Sequence, residues 1–145
     1  MAERKRYDNR LGFWGWLGGG RWGVERYVYA LHRLTGLGIL LYFLMHIVVT
    51  SLRAGGTYLW TKGEFLDRPV FKIGEFLVFA AFAFHAFNGL RLVLVELGVA
   101  VGKPFEPVYP YKTSLGVQRP LMIVMMILAA LVLLAGGAEF FGLAK

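Results

Sequence analysis

The stretch that most constrains this chain is Tyr29 to Thr50, YALHRLTGLGILLYFLMHIVVT, an apolar run that holds two of the three histidines, His32 and His46. About 20 apolar residues at ~1.5 Å each cross the ~30 Å hydrocarbon layer of a bilayer, so the run reads as a transmembrane helix. Ionisable side chains inside such a span are expensive and mark functional positions. His46 follows His32 by 14 residues, about 21 Å along a helix axis, which puts one ring near an interface and the other deep. At about 100° per residue the two rings lie within about 40° of each other, with Thr35, Ile39 and Tyr42 on the strip between them. One face of this helix therefore carries its chemistry.

The rest of the chain is of the same kind. Its hydrophobic share of 57% over 145 residues exceeds the roughly 45–50% of a soluble domain. The expected fold is an all-α membrane protein, with an interfacial N-terminal segment over 1–27 and a membrane region over 28–145. Three transmembrane helices are expected at about 28–52, 73–98 and 121–143. The net charge of +7 does not point to nucleic acid, because the basic residues form neither an amphipathic face nor an arm with stacking aromatics. Seven of the sixteen, Arg4, Lys5, Arg6, Arg10, Arg21, Arg26 and Arg33, precede or open the first span. By the positive-inside rule this asymmetry predicts a cytoplasmic N-terminus. No signal peptide is expected, since a long Gly-, Trp- and Arg-rich stretch precedes the apolar run and no cleavage-type site follows it. Cysteine is absent, which excludes disulfides, iron–sulfur ligation by this chain and thioether-linked haem.

Trp14, Trp16 and Trp22 alternate with glycines and basic residues before the first span. They suit either the membrane interface or packing against a partner subunit. Between the first two spans runs a loop of mixed charge with Tyr58 and Trp60, and between the last two a loop with Pro104, Pro107 and Pro110, which bar a helix there.

The second span carries His85 in FAFHAFNGLRLVLVEL, with Ala81 one turn before it and Gly89 one turn after, so small residues flank the ring. His85 lies about 9 Å before Arg91, towards the cytoplasmic end, whereas His46 lies about 20 Å from the cytoplasmic end of its own helix. Two imidazoles at two heights suggest two separate sites. Zinc normally wants three or four protein ligands at one point, and this chain offers one per level. A noncovalent b-type haem needs one imidazole from each of two helices, so a second chain would supply the opposing ligand at each level. At the cytoplasmic start of the first span, Arg33 and His32 stand together with Tyr29 and Thr35 one turn away on either side. This group reads either as a snorkelling anchor or as a site for haem propionates or a quinone head, with Tyr29, Thr35 and His32 as hydrogen-bond donors. Arg91 has the same two readings, anchor or propionate partner. Glu75 and Glu96 are interfacial and are assigned no chemistry.

Two motifs resemble the cytochrome b membrane-anchor subunit of succinate dehydrogenase (succinate:quinone oxidoreductase, respiratory complex II). They are His32-Arg33-Leu34-Thr35-Gly36, opening the first span, and Phe84-His85-Ala86-Phe87-Asn88-Gly89-Leu90-Arg91 in the second. Their order, with a third span after them, extends the resemblance over most of the chain. It implies that His85 is the axial ligand of the haem nearer the cytoplasm and that Arg33 lies at the quinone site facing the iron–sulfur subunit. Tyr29 stands where well-known members have a serine. His46 matches the first-helix ligand of two-haem members, so two b haems shared with a second anchor subunit are implied. The further partners implied are the iron–sulfur and flavoprotein subunits, a menaquinone or ubiquinone, and the lipid of a prokaryotic cytoplasmic membrane. Electron transfer, not substrate chemistry, would be this chain's part. Other readings stay open: a haem-free structural anchor, a homodimeric b-type cytochrome, and a fumarate reductase anchor working in reverse.

Overall fold

The computed structural model describes residues 12–17, 23–56, 69–102, 106, 108–109 and 113–143. Helices are the only regular elements among them: α1 (Gly12–Leu17), α2 (Val24–Ala54), α3 (Pro69–Glu96) and α4 (Leu115–Phe140). The last three are each long and apolar enough to cross a membrane. Short α1 falls in the expected interfacial segment and leaves Phe13 and Trp14 exposed. Trp22, Tyr58, Trp60 and the three prolines at 104, 107 and 110 lie outside the described residues.

The spans begin and end where breakers stand, not where the apolar runs stop. At 31 residues, α2 is about 46 Å long, so its ends, with Glu25, Arg26 and Arg53, project beyond a ~30 Å hydrocarbon layer. It is bounded by Gly23 (φ 82°) and Gly56 (φ 64°), both in the left-handed region that glycine enters without steric cost. α3 starts on Pro69, whose fixed φ suits a first helical position. It ends two residues before Gly98 (φ 89°), where Gly98 N–H donates to Val95 O at 3.0 Å and Val99 N–H to Leu94 O at 2.9 Å. That is a glycine-based C-cap, and Gly142 repeats it after α4. α4 starts six residues before the expected 121 and takes Pro120 into its second turn. Ser114 makes this start possible: its carbonyl accepts from Val117 and Gln118 N–H at 3.0 Å each, and its hydroxyl accepts from Gln118 Nε2 at 2.9 Å.

α3 is the middle helix. α2 and α4 both pack on it and scarcely touch one another. Opposite Gly36 lies His85 and opposite Gly89 lies His32, so α2 and α3 run antiparallel. Between α3 and α4, Gly136 and Gly137 form a notch for Phe79 and Phe76: a Cβ on Gly136 would stand 2.5 Å from the Phe79 ring. Phe76 also meets Phe140 and Phe141 at centroid distances of 5.9 and 5.2 Å. Glu25 at the start of α2 accepts from Arg119 Nε in α4 at 2.5 Å, which ties the outer helices at the end that also carries Arg26, Arg33 and Arg91. The most apolar stretch of α2 contains no buried residue, so most of its surface is left for lipid or another chain.

Candidate functional site at the stacked histidines

His32 lies on the third turn of α2 and His85 past the middle of α3, and the crossing of the two helices brings their rings face to face. The centroids are 3.9 Å apart and the planes differ by 6°. So close a stack needs helix backbones that approach without side chains between them. Gly36, four residues after His32, provides this; Gly89, four residues after His85, faces the His32 ring at ordinary contact distance. A Cβ at Gly36 would meet His85 Cε1 at 2.9 Å, and one at Gly89 would meet His32 Cε1 at 3.7 Å. The space beside Gly89 therefore takes the ring of His32, and the ring of His85 lies over Gly36 on the neighbouring helix.

His85 Nδ1 is 3.0 Å from the main-chain oxygen of His32. A carbonyl only accepts, so Nδ1 carries the proton, and in the neutral ring the lone pair belongs to Nε2. Thr35 Oγ1 stands 3.3 Å from the same Nδ1, and its own proton is directed at Leu31 O (2.8 Å) or His32 O (3.0 Å). Nδ1 of His32 is buried without a hydrogen-bond partner, as are Arg26 Nε and Asn88 Nδ2. Asn88 is the one buried polar residue among those described, at 1% exposure. Its Oδ1 accepts from Arg91 Nε at 3.0 Å, which holds that half-buried guanidinium against α3.

Tyr29 and Arg33 form a second group on the exposed side of α2. Arg33 Nη1 donates to the Tyr29 hydroxyl at 2.8 Å, and the guanidiniums of Arg26 and Arg33 each lie 5.4 Å from the centre of the Tyr29 ring. The Tyr29 proton is left for another acceptor. His46 stands apart from both groups. It is exposed, with its ring 5.6 Å from that of Tyr42 one turn earlier. Among the described residues no three His, Asp or Glu side chains converge on one point; His32 and His85 meet as a pair, and His46 lies away from both.

The chain matches the family described as succinate dehydrogenase/fumarate reductase transmembrane subunit over residues 12–134, from α1 into the last turns of α4. It belongs to that family. Over 87 residues the anchor is 31% identical to the succinate dehydrogenase hydrophobic membrane anchor subunit of Halobacterium salinarum, covering 57% of this chain and 67% of the relative. No solved structure matches it. The two motifs that carry the resemblance thus meet in space: the whole of one, His32 to Gly36, packs on the middle of the other, His85 to Gly89.

Two residues left without a role of their own by sequence reasoning are Gly36, which is part of this meeting, and Asn88, which is buried one turn from His85. A signal for the first was present, because the pattern His-x-x-x-Gly occurs in both spans, at His32 and Gly36 and at His85 and Gly89. For Asn88 the signal was an amide placed in an apolar helix, where such a group must find a partner.

Proposed function

We propose that this membrane anchor is a cytochrome b subunit that passes electrons between the iron–sulfur subunit of its complex and a membrane quinone. The observation that carries the reading is the bond from His85 Nδ1 to the His32 carbonyl. Histidines that ligate metals almost always donate their second ring N–H to a carbonyl, carboxylate or water, which fixes the tautomer and turns the other nitrogen to the metal. The residues therefore fit a b-type haem, whose iron His85 would hold through Nε2. When bound, the haem supplies a one-electron couple whose potential the axial ligands and nearby charges tune. His32 and Arg91 lie towards the same end of the helix pair, close enough to feel one another's charge, and suit its propionates.

His46 is proposed as the ligand of a second b haem at the other level. Its exposure on α2 supports a shared site, with a second anchor subunit supplying the opposing histidine at each level. Arg33 and Tyr29 suit a quinone carbonyl: the guanidinium supplies positive charge, and the tyrosine, already accepting from Arg33, keeps its own proton to donate. Succinate would be oxidised in the flavoprotein subunit, and either menaquinone or ubiquinone could take the electrons. The test is Arg33→Leu in the intact complex. The expected result is at least a 10-fold loss of succinate:quinone activity, with succinate oxidation by a soluble dye unchanged. Equal loss of both activities, or of neither, overturns the quinone assignment.

A second reading is favoured by the stack itself. In a haem-free anchor, the paired rings and the His85 to His32 bond would be only a clasp between α2 and α3. That reading predicts no change in any haem spectrum when His85 is replaced.

A further inference from the structure

A helix normally hides its own carbonyls. Each Cα–Cβ bond tilts towards the N-terminus, so the side chain four residues on leans over the preceding turn. Residue 36 has no side chain, and His85 occupies the opening. Its Nδ1 lies 3.4 Å from where a Cβ on Gly36 would be and 3.0 Å from the His32 oxygen. The Thr35 hydroxyl has a second commitment. Its proton goes to a carbonyl of its own helix, so it turns a lone pair to the imidazole, 3.3 Å away. Two acceptors from α2 converge on one N–H of α3.

We propose that Gly36 and Thr35 are positioning residues for His85: Gly36 uncovers the His32 carbonyl, and that carbonyl and the Thr35 hydroxyl share the Nδ1 proton. The ring is thereby held in one tautomer and one orientation, with Nε2 as its donor atom. This rests on the reading of His85 as a haem ligand. It also gives the Thr35 hydroxyl, which the sequence offered to a quinone, a role inside the protein. Outer acceptors of this kind raise the basicity of a ligating imidazole, and their loss typically costs about 10–100-fold in metal affinity. A more basic ligand favours ferric over ferrous iron and so lowers the haem's potential.

The test uses the intact membrane complex, purified through a tag on this chain, with Thr35→Val, Thr35→Ser, Gly36→Ala and His85→Ala. Two quantities are read: the midpoint potential of each b haem, and its rate of transfer to excess apomyoglobin. Thr35→Val keeps the shape and removes the lone pair. One haem should then move to higher potential and leave about 10-fold faster, because the His32 carbonyl remains. Thr35→Ser should restore both values. Gly36→Ala should have the larger effect, because its Cβ, 2.9 Å from His85 Cε1, drives the ring off both acceptors. If His85→Ala removes one haem while Thr35→Val matches wild type in both readings, the positioning role is wrong and the ligand assignment stands. If Thr35→Ser behaves as Thr35→Val, shape and not the hydroxyl is responsible, and the proposal fails. If His85→Ala keeps every haem, the ligand reading fails and takes this inference with it.

Discussion

At the residue scale, Asn88 is the most deeply buried polar residue among those described. It is 1% exposed, and its Oδ1 is the acceptor for Arg91 Nε. A hydrogen bond within a membrane bundle averages ~0.6 kcal/mol, and one to a charged group in soluble proteins is worth about 1.5–3 kcal/mol. A half-buried guanidinium lies between these cases. Asn88→Ala should therefore destabilise the detergent-solubilised complex by about 1–2 kcal/mol, measured by thermal unfolding, and Asn88→Asp should keep most of the stability because it keeps the acceptor. If Asn88→Ala unfolds at the wild-type midpoint, the bond to Arg91 contributes nothing. The chemical types of the site residues were legible in the sequence, since an imidazole or amide in an apolar span has few bland uses. Their partners were not: Thr35 could be placed one turn from His32, yet nothing in the chain said that its hydroxyl turns to another helix.

At the element scale, glycines decide which helices meet and how closely. Gly136 receives the Phe79 ring, whereas a Cβ on Gly38 would meet nothing within 4 Å. Gly136→Ala should cost about 1–3 kcal/mol by overpacking, and Gly38→Ala should be neutral or stabilise by up to about 1 kcal/mol through helix propensity. The same thermal measurement on both variants checks this contrast, and similar values for the two would contradict the packing between α3 and α4. The three spans were legible because apolar length alone announces them. Relative heights were legible too: counting from the basic ends put His32 and His85 near one end of the helices and His46 far from it, and the two rings do meet at one level. What counting leaves open is the rotation of each helix about its axis. That phase is set by small residues at a crossing, and it turned His32 onto His85. The helices start four to six residues before the expected positions for a related reason, since hydropathy reports solvent preference while Gly23, Pro69 and Ser114 govern where the hydrogen-bond ladder can start.

At the scale of the whole molecule, the chain is a layer of three helices with α3 in the middle, its outer helices joined at one end by Glu25 and Arg119. That ion pair is largely exposed, so its contribution should be small and should fall with added salt. Of the six described basic residues, Arg26, Arg33, Arg91 and Arg119 lie at this same end and Arg53 and Lys72 at the other, and the positive-inside rule assigns the more basic end to the cytoplasm. Because the chain has no cysteine, single cysteines test this directly. In spheroplasts, Ala54→Cys should react with a membrane-impermeant maleimide and Val101→Cys should react only after permeabilisation, whereas the reverse pattern would invert the topology.

The central claim, that this anchor holds b-type haem through His85 at one level and His46 at the other, is tested most directly by one spectral comparison. The reduced-minus-oxidised spectrum and pyridine haemochrome are recorded for complexes carrying wild type, His85→Ala and His46→Ala, with the co-purifying subunits checked for each. Two b haems in wild type, with each variant losing a different one while the subunits stay together, is the predicted result. A wild-type complex without haem, or a His85→Ala complex with its haem content unchanged, would contradict the account.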